Sequence, residues 1–87
     1  MRFRPIWLRR PLNELARAYM AANVTGGSAA LTILVAQLDQ VLAVNPQHVG
    51  ESRADNERIL IRPPLVVEYE VFDDDNAVVV TDIRYRP

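Results

Sequence analysis

The chain has 87 residues, of which 49% are apolar, so it is long enough for one domain near the lower size limit for a core without cross-links. It contains no cysteine and one histidine, and all ten of its cations are arginine; disulfides, zinc–thiolate sites, thiol nucleophiles and a histidine metal cluster are excluded. The formal net charge of −1 and the pI of about 5.7 lack the basic excess of a dedicated nucleic-acid-binding domain, so any RNA or DNA contact must come from a local arginine patch.

The opening stretch "MRFRPIWLRR" lacks the apolar run of a secretory signal, and no segment approaches the roughly 20 apolar residues that cross a bilayer. A cytoplasmic protein without membrane association is expected. Within that stretch, Phe3, Ile6 and Trp7 anchor a short first strand that Pro5 restricts to an edge.

In "PLNELARAYMAA", Leu12, Leu15, Ala16, Tyr19 and Met20 recur at helical spacing and Pro11 suits the first turn, which predicts a helix over 11–22. "NVTGGS" ends it, and Thr25 or Ser28 is the expected cap of the next helix. Leu31, Leu34, Val35, Leu38, Val41 and Leu42 predict that helix over 29–44, closed by Asn45-Pro46. The two form an antiparallel hairpin.

"PQHVGESRADNE" reads as a loop with room for a short extended piece. From there the period changes from 3.6 to 2. A strand over 58–62 is expected to turn Ile59 and Ile61 inward, and Pro63-Pro64 makes the turn. The next strand shares Leu65, Val67, Tyr69 and Val71 on one face; "DDDN" at 73–76 is a tight turn. The last strand, 77–85, puts Val79, Thr81, Ile83 and Tyr85 on one side and Val78, Val80, Asp82 and Arg84 on the other. The order β-α-α-β-β-β predicts an α+β domain, its helix hairpin packed on one face of a small, mostly antiparallel sheet with the other face wet.

That order, with "PLNELARAY", the "NP" ending the second helix, "GESRADNERILI", "PPLVVEYEV" and "VVVTDIRYRP", resembles the RelE/ParE superfamily of toxins from type II toxin–antitoxin pairs, the plasmid-stabilisation type of bacteria. The resemblance spans nearly the whole chain and implies a single toxin domain over 1–87 with a cognate antitoxin as partner. It implies one of two activities. RelE-type members are ribosome-dependent mRNA interferases, which cut mRNA by activating a 2′-hydroxyl against the adjacent phosphate; ParE-type members bind and inhibit DNA gyrase without cutting RNA. No cofactor is implied, and the sequence fixes no oligomeric state, a dimer being compatible with it.

Cleavage of this kind needs a base, cations on the phosphate and an acid for the leaving oxygen. On the expected wet face stand Arg58, Leu60 and Arg62, then Val66, Glu68 and Glu70, then Asp82 and Arg84, with Arg86 beyond them. The candidate catalytic set is therefore Arg58, Glu68, Glu70 and Arg86, with Arg62 and Arg84 as phosphate binders. By resemblance Arg58 and Arg86 match basic positions of the nucleases; Val66 and Leu60 stand where such relatives carry cations, so the set is incomplete. The alternatives are a gyrase-docking toxin or a decayed antitoxin-binding relative, in which the same charges are exposed cross-strand pairs.

Other residues carry less. Asp73–Asp75 lie consecutively and lack ordered metal-ligand spacing, His48 is a lone loop histidine, and Trp7 and Tyr19 are expected to pack rather than stack on bases. "TGGS" lacks the GK[ST] of a phosphate loop.

Overall fold

The computed structural model describes residues 2–87. Its elements are β1 (Arg4–Trp7), α1 (Arg9–Val24), α2 (Ser28–Val44), β2 (Glu51–Ser52), β3 (Glu57–Arg62), β4 (Leu65–Phe72), a 3-10 turn (Asp73–Asp75) and β5 (Ala77–Tyr85). The sheet order is β1-β5-β4-β3-β2. Only the β1–β5 pair is parallel, Arg4 standing opposite Ala77 and Trp7 opposite Val80; the others are antiparallel. The expected α+β layout is thus present, with β2 as the short extended piece inside the long loop.

The hairpin forms because α1 and α2 are joined by three residues, Thr25 to Gly27, too few for anything but antiparallel neighbours. Gly26 turns the chain with φ +77°, and no side chain caps α2; its N-cap is Gly27, while the Thr25 hydroxyl bonds back to Ala22 O. The capping expectation for Thr25 and Ser28 is corrected accordingly. Along α2 the expected stripe holds, with Leu31, Leu38 and Leu42 buried and Leu34, Val35 and Val41 packed against the core. Along α1 the stripe is rotated: Pro11, Ala18 and Ala22 are buried, whereas Leu12 and Met20 are 49% and 72% exposed. Small residues win the inner face because they let α1 lie close on β5.

Leu65, Val67, Tyr69 and Val71 of β4 face the helices and are buried. At about 25 cal/mol per Å2 of apolar surface removed from water, this layer is the main source of stability. Phe3 N–H donates to Ala43 O, closing the end of α2 onto the start of β1. Trp7 packs against the core and its indole N–H donates to Asp39 at 3.0 Å, while the Tyr19 hydroxyl bonds Thr32 across the hairpin. Both aromatics are therefore packing residues.

Two strand faces differ from the sequence-based expectation. On β3, Leu60 is the buried residue at 5% exposure and Ile61 is 58% exposed, because Leu60 pairs with Val67 and Arg62 with Leu65. Arg58, Leu60 and Arg62 thus share the helix-side face, and Ile59 and Ile61 the open one. On β5 the register slips between Glu68–Asp82 and Tyr69–Val80, leaving Thr81 as an unpaired bulge residue. The bulge reverses the alternation, so Val78 and Val80 before it and Ile83 after it all face the helices.

Candidate functional site

Two residue groups come out of this frame, one on each face. On the helix side, Arg58 stands opposite Tyr69, and both reach the loop that follows α2. Arg58 Nε donates to Val49 O at 3.0 Å and Nη2 to Gly50 O at 3.2 Å. The Tyr69 hydroxyl, in a side chain only 1% exposed, lies 2.8 Å from Pro46 O and 2.9 Å from Val49 O, its one proton shared between two acceptors. Burial pushes this hydroxyl above its ordinary value, with Arg58 pulling the other way. Gly50 completes the clamp: at φ +69° it lies so close to β3 that a Cβ would sit 2.4 Å from Ile59 O.

Beside the clamp is a small cavity of about 140 Å3 lined by Gln47, Ser52, Asp55, Asn56, Arg58, Val71 and Asp73. The Gln47 amide bonds the Asp73 carboxylate across it. Asp73–Asp75 form the 3-10 turn before Asn76, whose φ is +49°, and His48 is exposed in its loop.

On the open face the side chains follow from register. Glu68 and Glu70 alternate with the buried residues of β4, and across from them lie Ile59 and Glu57 of β3 and Asp82 and Val79 of β5. Arg84 is 3.6 Å from Glu68 and 3.3 Å from Asp82. With that guanidinium 56% exposed, these are solvent-screened cross-strand pairs.

The expected site is therefore not a single surface. Glu68, Glu70 and Arg84 are on the open face; Arg58 and Arg62 are on the opposite one, with Arg58 committed to backbone carbonyls and Arg62 exposed at the end of β3. Arg86 is exposed beyond β5, where its N–H donates to Pro64 O at 2.7 Å. The placement of Arg58, Leu60 and Arg62 beside the glutamates is corrected, for the register across Pro63-Pro64 puts them on the other side. Sequence reasoning also passed over Tyr69 and Glu57. The two-residue turn held the signal: counting back from it sets Arg58 against Tyr69 and Glu57 against Glu70.

Among the described residues no helix is long and apolar enough to cross a membrane. Neither a protein-family model nor a curated protein matches the sequence. Solved structures do. A chain of the chromosomal ParDE TA system from P. aeruginosa superposes with a TM-score of 0.74 at 21% identity, over 98% of this chain and 97% of that one. A chain of the toxin–antitoxin complex RelBE2 from Mycobacterium tuberculosis superposes with a TM-score of 0.76 at 16% identity, over 99% and 93%. The β-α-α-β-β-β-β chain, with its helix hairpin on one face of a mixed five-stranded sheet, has the RelE/ParE fold.

Proposed function

We propose that this chain is the toxin component of a toxin–antitoxin pair and that it acts by docking on its target, in the manner of the gyrase-binding members, without cutting RNA. Likeness to chains from two toxin–antitoxin systems over almost their whole length supports the first half. The second half rests on one observation: Arg58 and Arg62 lie on the face of the sheet opposite Glu68 and Glu70, and Arg84, on the glutamates' own face, is already paired with Glu68 and Asp82.

A phosphoryl-transfer site needs its base, its acid and its cations within reach of one scissile phosphate. Here Glu68 and Glu70 face away from Arg58, whose guanidinium is hydrogen-bonded to Val49 and Gly50. The one arginine of β5 on the open face, Arg84, already meets two carboxylates there. A phosphate approaching that face meets more negative than positive charge. Docking on a protein requires no such convergence, and the antitoxin needs only a complementary surface.

The reading is tested by inducing the chain in a bacterial host and assaying supercoiling by purified DNA gyrase with the purified protein added. Growth arrest with loss of supercoiling is expected. Arrest with gyrase fully active removes gyrase as the target, and unimpaired growth removes the toxin reading.

A further inference from the structure

The second helix is apolar on both of its sides. Leu31, Leu38 and Leu42 are buried in the core, and an outer row of Ala29, Ile33 and Ala36 is exposed, Ile33 by 60%. A helix apolar all round is ordinarily one that is covered all round. On α1 the matching outer row is Ala16, Met20 and Val24, spaced by four and likewise exposed, Val24 by 85%. The bond from the Tyr19 hydroxyl to Thr32 sets the turns that carry Met20 and Ile33 side by side. The two rows therefore make one apolar surface across the outside of the hairpin.

Charge and shape both fit that surface to a copy of itself. From Ala18 to Leu38 the sequence holds no charged residue, the longest such run in the chain. A two-fold axis sets side chains near it against their own counterparts, so a charged face opposes its own pairing and an uncharged face does not. Large side chains also stand among small ones on it: Met20 follows Ala16 by one turn, and Ile33 lies between Ala29 and Ala36. Knobs on one hairpin thus find hollows on another. Contact strands no hydroxyl proton, since Tyr19 donates to Thr32, Thr32 to Ser28 O and Ser28 to Asn23, all within the hairpin. Arg17 and Glu14, paired with each other, mark the polar rim.

We propose that the outer face of the α1–α2 hairpin is a self-association surface, on which a second copy of this chain packs its own hairpin about a two-fold axis to form a four-helix layer between two sheets. The sheets then face outward, and their open faces stay free in the dimer. The inference does not depend on the toxin reading or on how the chain stops growth.

Sedimentation equilibrium of the full chain over about 1–500 μM tests it. The mass is expected to rise with concentration from the 9.9 kDa of the monomer to that of a dimer. Met20→Glu with Ile33→Glu is expected to raise the dissociation constant at least about a hundredfold with the circular dichroism spectrum unchanged, because both side chains are exposed in the single chain. Met20→Lys with Ile33→Lys is expected to do the same, and mixing the two variants to restore the dimer, which a loss of fold cannot do. Ile61→Glu, on the open face of the sheet, is expected to leave the association unchanged.

A mass that stays monomeric throughout would overturn the proposal. So would a dimer that Ile61→Glu abolishes and the hairpin substitutions spare, or a failure of the mixed variants to associate. A monomer that binds vesicles of anionic phospholipid through the hairpin would overturn it as well, and would assign the face to a membrane surface.

Discussion

Arg58 and Tyr69 face each other across β3 and β4 and donate to the same acceptor, the Val49 carbonyl, at 3.0 and 2.9 Å. One arginine and one phenol thereby pin the loop after α2 to the sheet. Arg58→Ala removes charge-assisted bonds to two carbonyls and is expected to cost about 1.5–3 kcal/mol, and Tyr69→Phe about 1–2 kcal/mol. Because they share Val49 O, the two losses are not additive. Urea denaturation of both single variants and the double variant reads the coupling; strictly additive losses would show that the shared carbonyl does not link them.

The same pair sets an alkaline limit. The folded pKa of Tyr69 is raised above its ordinary value of 10.0, so folding favours the protonated phenol. Its contribution is fully present below the unfolded value and is lost as pH rises through the folded one. Stability is expected to hold to about pH 9 and to fall above about pH 10, with Tyr69→Phe showing a shallower fall. Denaturation curves across that range check the sign, and an identical decline in wild type and variant would contradict it.

Gly50 cannot accept a side chain. Its φ of +69° and the 2.4 Å approach of a Cβ to Ile59 O place backbone in the way. Gly50→Ala is expected to cost about 1–3 kcal/mol from the conformation alone, with the close contact adding to it. Hydrogen exchange should show the loss at β2 and at the β3 amides it pairs with, before the helices are affected. Protection unchanged there would argue against the close approach.

The Thr81 bulge is the device that keeps β5 apolar toward the helices along its whole length. Deleting Thr81 leaves Val80, Asp82 and Ile83 in plain alternation on the same partners, so Ile83, 2% exposed, keeps facing the helices. The deletion is expected to cost about 1 kcal/mol, the hydroxyl bond that goes with the residue. Thr81→Val, which keeps the bulge and drops only the hydroxyl bond to Glu68 O at 3.2 Å, is expected to cost about 1 kcal/mol. Thermal unfolding is expected to place the two variants together, and a much larger loss in the deletion would show that the register moves with Thr81.

Element order and type were legible in the sequence because the hydrophobic period changes cleanly at the loop before β3. Which way β3 faces was not, since in "RILIR" apolar residues fill both alternations and the arginines invite a solvent assignment. Register decides it instead: the two-residue Pro63-Pro64 turn sets Leu60 against the buried Val67. The bulge left no mark in a run of four consecutive apolar residues, Ala77 to Val80. On α1, buried alanines supplied the contact face while the larger Leu12 and Met20 stayed exposed, which hydrophobic size alone misorders. The candidate site inherited the error in β3. Its charges are where a strand pattern puts them, but a face taken the wrong way round joined residues that the sheet separates.

Mapping the 5′ ends of cellular transcripts after induction, with ribosomes active and with ribosomes blocked, separates docking from cleavage most directly. Growth arrest without new ribosome-dependent ends is the expected result, for wild type and for Glu68→Gln with Glu70→Gln alike. New ribosome-dependent ends that those substitutions abolish would contradict it and establish the open face as a nuclease site.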